Sequence, residues 1–169
     1  SAPIGADLAR RCNEGPATDR KDDAMVQATA LPRNEAGIEA AVSVLKQRFG
    51  DRLQTGHSIR EQHGHTTTWI TNQIPDAVVF PESTQEVAEV VKTCADYGVP
   101  VIPYGTGTSL EGHVNAPAGG VSIDMTKMDK ILEVHAEDLD VVVQPGVTRE
   151  QLNTFLRDKG LFFPIDPGA

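Results

Sequence analysis

The sequence predicts a mixed α/β or α+β fold, and three observations predict it. From residue 75 onward, short apolar runs of strand length alternate with capped helical stretches. Prolines and glycines punctuate the junctions between them. The length of 169 residues, with 39% hydrophobic and 23% charged side chains, suits one core of ordinary size.

Residues 1–33 read as an irregular arm, with Pro3, Gly5, Gly15, Pro16 and a polar run over 18–23. Asn34 is placed to cap a helix over 35–49, with Ile38, Val42, Leu45 and Phe49 on one face and Gly50 ending it. Residues 51–74 are mixed and polar and read as a connector. Residues 77–80 form an apolar run between prolines, expected to be a buried strand. Ser83 with Glu86 is a capping box. The helix it opens carries Val87, Val90, Val91 and Cys94 at helical spacing and stops at Gly98. Residues 99–103 read as a second strand, whose prolines suggest an edge or a strand end.

A glycine-rich stretch, 105–120, follows. Residues 121–125 alternate like a half-buried strand, and 131–135 and 139–144 read as two more, joined by an acidic turn. Thr148 with Gln151 is a second capping box, opening a helix that runs to Lys159 and ends at Gly160. Residues 161–163 are expected to begin another strand. Stopping soon afterwards at Asp166-Pro167-Gly168-Ala169, the chain reads as a fragment. The organisation expected is an N-terminal arm and helix over 1–54 and a larger unit over 55–169.

Charge narrows the partners. Residues 1–61 hold nine acids and nine bases, so the net charge of −9 lies wholly in 62–169, where fifteen acids face six bases. Such a surface argues against nucleic acid or an anionic membrane as the main partner. Cys12 and Cys94 are far apart and read as free thiols in a reducing compartment, Cys94 in the core. With no secretory pattern at the N-terminus, the expected location is the cytoplasm, or the periphery of the inner membrane.

The residues 103–113, Pro-Tyr-Gly-Thr-Gly-Thr-Ser-Leu-Glu-Gly-His, are where chemistry is expected. Glycines allow positive φ and close approach of backbone to a ligand. Successive N–H groups in such a turn form an anion-binding nest, and Thr106, Thr108 and Ser109 add hydroxyls. No Lys or Arg lies between Lys92 and Lys127, so a diphosphate here would be held by amides and hydroxyls. Two familiar loops are excluded. Gly107 and Gly112 have Walker A spacing, but His113-Val114 follows where Lys-Ser/Thr is required. A Rossmann fingerprint needs a third glycine and then a helix, whereas Leu110 stands there and a strand follows. On residue types alone the loop is open between a structural turn and a ligand cradle.

The longer pattern goes further. Residues 75–81 (Pro-Asp-Ala-Val-Val-Phe-Pro), 98–101 (Gly-Val-Pro-Val), the loop 104–112, Asp124-Met125, Met128-Asp129, 143–147 (Val-Gln-Pro-Gly-Val) and 164–169 (Pro-Ile-Asp-Pro-Gly-Ala) follow in order. Over about 55–169, with residues 60–64 (Arg-Glu-Gln-His-Gly) upstream, the chain resembles the FAD-dependent D-lactate dehydrogenase and glycolate oxidase family. That resemblance implies an incomplete α+β, mixed-sheet FAD-binding domain of the vanillyl-alcohol-oxidase (p-cresol methylhydroxylase) type. It implies cofactor contacts from Pro103, Tyr104, Gly105, Thr106, Gly107, Thr108, Ser109, Leu110 and Gly112. It implies further contacts from Pro145 and Gly146, and from Asp166, Pro167, Gly168 and Ala169. Some relatives attach the flavin through a histidine in the glycine loop; Thr108 stands at that position, so non-covalent FAD is expected, with His113 a few residues late. No catalytic residue or metal ligand is expected in this chain. By the same resemblance, the base, the carboxylate-binding arginine and any divalent metal belong to a further substrate domain. The parent reaction would move a hydride from a 2-hydroxyacid, D-lactate first, to the flavin. Electrons would then pass to a cytochrome, a quinone or an electron-transfer flavoprotein. Two other readings stay open: a stand-alone nucleotide-binding module, and another branch of the fold such as glycolate oxidase, 2-hydroxyglutarate dehydrogenase or ether-lipid synthase.

The remaining residues carry weaker expectations. His63-x-His65 is expected in a solvent-facing connector rather than in a metal site. Residues 66–69 (Thr-Thr-Thr-Trp) could be a surface contact for a further domain, but Trp69, the one tryptophan, is expected to be packed. Asp124 to Asp129 is open between a cofactor contact and a solvated turn, and Tyr104 between stacking near the cofactor and packing at the strand end.

Overall fold

The computed structural model describes residues 32–67 and 69–165. Residues 1–31 of the expected N-terminal arm, Cys12 among them, and the turn at Asp166–Ala169 lie outside them. Helix α1 spans Glu35–Phe49; Asn34 caps it by accepting from the Gly37 N–H at 3.0 Å. Its buried face is Ile38, Ala41, Leu45 and Phe49, with Gly50 closing it at φ 55°. The region read as a connector is structured. After a 3₁₀ turn over Gly50–Arg52 come strand β1, Leu53–Gln54, and helix α2, His57–Gly64. Helix α2 was hidden because it buries only His63 and Gly64, so it shows no apolar stripe.

Strand β2 is Ala77–Val79, α3 is Thr84–Asp96, β3 is Val101–Tyr104 and β4 is Val121–Asp124. One mixed sheet has the order β1-β2-β4-β3. Strand β1 is antiparallel to β2, whereas β2 and β3 both run parallel to β4, with Ala77 and Val101 each opposite Val121. The crossover from β2 through α3 to β3 therefore leaves a gap that β4 fills. Strand β3 lies at the sheet edge, which is where a strand containing Pro103 can sit without losing a ladder bond.

Helices α1 and α3 cover one face of this sheet. The core there joins Leu45, Phe49, Leu53, Val79, Val90, Cys94, Val121 and Ile123. Each such side chain contributes about 1.5–3 kcal/mol by leaving water. Burial also pushes the Cys94 thiol up to about 11. Arg52 ties β1 to α3 through a paired contact to Glu86 at 2.6 and 2.7 Å, while stacking 5.4 Å over the Phe49 ring. Both capping boxes are half-formed. Ser83 and Thr148 accept from the N–H groups of Glu86 and Gln151. The Glu86 carboxylate, however, accepts from the Glu82 N–H rather than from that of Ser83, and the Gln151 amide donates to the Asp129 carbonyl.

Strands β5, Ile131–His135, and β6, Asp140–Val143, form a separate antiparallel hairpin with an irregular register between Ile131 and Glu133. Helix α4 is Arg149–Leu156, continued by a 3₁₀ turn over Arg157–Lys159 that Gly160 ends at φ 69°. The strand expected at 161–163 does not form: the segment has no sheet partner among the described residues, and Asn153 instead bonds the Phe163 N–H and carbonyl. No helix among the described residues is long and apolar enough to cross a membrane.

Candidate functional site

Strands β2, β3 and β4 all point their C-terminal ends the same way, and the glycine loop leaves the sheet from the end of β3. Crevices at such ends are where open parallel sheets receive ligands. The loop turns through positive φ at Gly107 (73°) and Gly112 (77°), a backbone state costly for other residues. At Gly107 a Cβ would also lie 2.5 Å from Tyr104 Oη. The hydroxyls of Thr106 and Thr108 approach to 3.3 Å, and Ser109 Oγ bonds His113 Nδ1 at 2.6 Å. Among the described residues the N–H groups of Thr106, Gly107 and Thr108 meet no acceptor.

A groove of about 610 Å³ opens beside this loop. Gly105, Thr106 and Thr108 form one wall, and Pro145, Gly146 and Val147 the other. Thr126 and Asp129 lie between them, and the first turn of α4, from Thr148 to Gln151, closes the end. Gly146 is required by close approach: its N–H donates to the Met128 carbonyl at 2.8 Å, and a Cβ would lie within about 3.0 Å of three carbonyl oxygens, those of Met125, Thr126 and Met128. Residues forty apart in the chain thus face each other across one space.

Of the positions singled out from sequence, Gly105, Thr106, Thr108, Pro145 and Gly146 line the groove. Gly107, Ser109 and Gly112 shape the loop instead, and Leu110 points outward, 71% exposed. Pro103 sits on the edge strand. Tyr104 packs: its ring lies 4.1 Å from that of His63, tilted by 40°. Asp166, Pro167, Gly168 and Ala169 lie outside the described residues. Sequence reading missed the first turn of α4 as part of the site, because its capping box marks a helix start and not a ligand.

Two sequence expectations are corrected, and one left open is divided. His63 is buried, not solvent-facing, because α2 lays it against the sheet, where Nε2 meets Asp124 Oδ2 at 2.8 Å. Trp69 is 78% exposed and unpacked, on a loop with no element above it among the described residues. The segment from Asp124 to Asp129, left open from sequence, divides: Thr126 and Asp129 are exposed and line the groove, whereas Asp124 is buried outside it. Burial pushes its carboxyl up, but bonds from His63 and Thr126 outweigh this and hold it below the usual carboxylate range. Burial, with Asp124 nearby, raises the Tyr104 phenol. No cluster of three or more metal-ligating side chains exists among the described residues.

The groove fits a flavin dinucleotide in its donor chemistry. It offers unpaired amides, threonine hydroxyls and a helix N-terminus, all suited to a diphosphate. Among the described residues, Arg149 is the one cationic side chain lining it, against the carboxylates of Asp129 and Glu150. A diphosphate placed here would therefore meet mostly neutral donors.

Comparison with known proteins agrees. Residues 75–169 match the model of the FAD-binding domain family. The chain is 48% identical over 135 residues to a probable mitochondrial D-lactate dehydrogenase of Danio rerio, covering 79% of this chain and 27% of that protein. It is 46% identical over 129 residues to a mitochondrial D-lactate dehydrogenase (cytochrome) of Arabidopsis thaliana, covering 75% and 23%. The chain thus spans about a quarter of the length of these relatives. Among solved structures, p-cresol methylhydroxylase superposes with a TM-score of 0.69 at 24% identity, covering 78% of this chain and 27% of that one, which shows the fold. The chain belongs to the FAD-binding domain family, in the vanillyl-alcohol-oxidase-type fold, and its cofactor is FAD.

Proposed function

We propose that this chain is the diphosphate-holding part of a flavin-dependent dehydrogenase that oxidises a 2-hydroxyacid, D-lactate being the first substrate to test. The observation that carries the reading is the groove itself. A glycine-threonine loop and a Pro-Gly turn converge there with open amides, in a stretch with no Lys or Arg between Lys92 and Lys127. Identities of 48% and 46% to D-lactate dehydrogenases support that substrate over other branches of the fold.

In this reading Gly105 and Thr106 bring backbone amides to the diphosphate, and Thr108 adds a hydroxyl. Pro145 and Gly146 close the opposite wall, and Asp166 to Ala169 extend it. When bound, the flavin supplies the acceptor for the substrate hydride. This chain's residues bind and orient it, while the base that takes the hydroxyl proton belongs to the parent protein's substrate domain. Thr108 stands where some relatives of this fold carry an attaching histidine, so the FAD is held non-covalently. A cytochrome is the acceptor that the name of the plant relative supports.

The test is the anaerobic visible spectrum of the full-length gene product before and after D-lactate. Bleaching of an oxidised flavin band, with FAD released by acid denaturation, is expected. A flavin band indifferent to D-lactate moves the substrate to another branch of the fold. The absence of a flavin band contradicts the proposal and favours a stand-alone nucleotide-binding module.

A further inference from the structure

A buried polar pair lies directly beneath the groove, outside its lining. His63 Nδ1 is 2.8 Å from the Ile59 carbonyl, which can only accept, so Nδ1 carries a hydrogen. Nε2 faces Asp124 Oδ2 at 2.8 Å, with one proton between them. The other carboxylate oxygen accepts from the Thr126 N–H at 2.8 Å and from its hydroxyl at 2.5 Å. Every strong hydrogen-bonding position of the pair is thus directed at a named partner, and the side chains are only 2% and 6% exposed.

Each partner leads to a different wall. Thr126, held by Asp124, lies in the groove. On the other side the imidazole stacks against the Tyr104 ring, whose hydroxyl reaches the Gln62 carbonyl at 3.4 Å. Gly107 rests on that phenol so closely that a Cβ would meet it. The Phe80 ring, edge-on to His63 at 6.0 Å, packs against the imidazole from just beyond β2.

We infer that His63 and Asp124 are positioning residues: a hydrogen-bonded brace from the sheet that sets Thr126 on one side of the cofactor groove and, through Tyr104, the glycine loop on the other. Neither residue touches the cofactor. The inference rests on the FAD reading above and extends it to residues that no glycine motif marks.

The experiment titrates FAD into the apo form of the full-length gene product, recording the dissociation constant, the visible circular dichroism of the loaded flavin and the melting temperature. His63→Gln keeps one donor but loses the ring and the second bond. It should weaken FAD at least tenfold and change the flavin dichroism. Asp124→Asn can still donate to a neutral Nε2 and accept from Thr126, so its affinity should stay within about threefold of the parent. A folded His63→Gln protein that melts lower yet binds FAD with parental affinity and dichroism would overturn the brace. Equal losses in the two variants would overturn it as well. Should His63→Gln fail to fold, Tyr104→Leu carries the test, because it leaves the His63–Asp124 bonds intact and removes the ring under Gly107. Tenfold weakening is expected there, and parental affinity counts against the brace. A parent protein that takes no FAD is a separate result, read before any variant, and it overturns the function proposed above.

Discussion

Gly105, Gly107 and Gly146 sit within one site, and the chemistry asks something different of each. Gly146 has no room: backbone carbonyls of Met125, Thr126 and Met128 occupy the place of a Cβ, and backbone cannot swing aside as a side chain can. Gly146→Ala should therefore cost about 1–3 kcal/mol of overpacking, read as a lower melting temperature with or without cofactor. Gly107 is constrained by its φ of 73° and by the phenol beneath it. Gly105 has neither constraint: its φ is not positive, and nothing lies within 4 Å of a built Cβ. Only a ligand approaching that open side gives a reason for glycine at 105, so the position separates cofactor binding from folding.

At the scale of elements, two contacts carry stated consequences. The Arg52 guanidinium holds the Glu86 carboxyl down at about 2, against burial that pushes it up, so the pair locks β1 onto α3. A carboxyl depressed on folding adds stability above its unfolded value of about 4.5, and that stability is lost as pH falls toward 2. The Glu86 side chain is 15% and that of Arg52 25% exposed, so solvent screening trims the gain. Glu86→Gln should cost about 1–2 kcal/mol at pH 7, and the gap from the parent should close between pH 4.5 and 2 in chemical denaturation. In the β5–β6 hairpin, Leu139 is the one described non-glycine residue at positive φ, 57°, with its side chain 78% exposed. It gives up little packing, so Leu139→Gly should stabilise the hairpin by up to about 1 kcal/mol. Unchanged or faster amide exchange across β5 and β6 would count against that.

For the whole molecule, most of the ladder of strands and helices was legible, because α1 and α3 bury regular apolar faces and real caps mark their starts. Even the edge position of β3 could be read from its prolines. What stayed hidden depends on residues far apart in the chain. His63 and Asp124 are 61 residues apart, and α2 lacks the apolar stripe that would have announced it. The closed end of the groove escaped notice because the start of α4 reaches it only once β4 and the β5–β6 hairpin are in place. The segment at 161–163 looked like a strand because it is apolar, yet a strand also needs an edge to pair with, and no described edge takes it. The glycine loop was legible as a loop, but its residue types alone left it open between a structural turn, the commoner case, and a ligand cradle. The convergence of Gly105 and Thr106 with Pro145 and Gly146 is what gives it a facing wall.

The most direct test of the central claim, that backbone at the glycine loop holds the FAD diphosphate, is the FAD dissociation constant of Gly105→Ala in the full-length gene product. The Cβ meets no protein atom, so the melting temperature of the apoprotein should not move, while FAD binds at least tenfold more weakly, a change of about 1.4 kcal/mol. Parental affinity in that variant would place the diphosphate elsewhere and contradict the account.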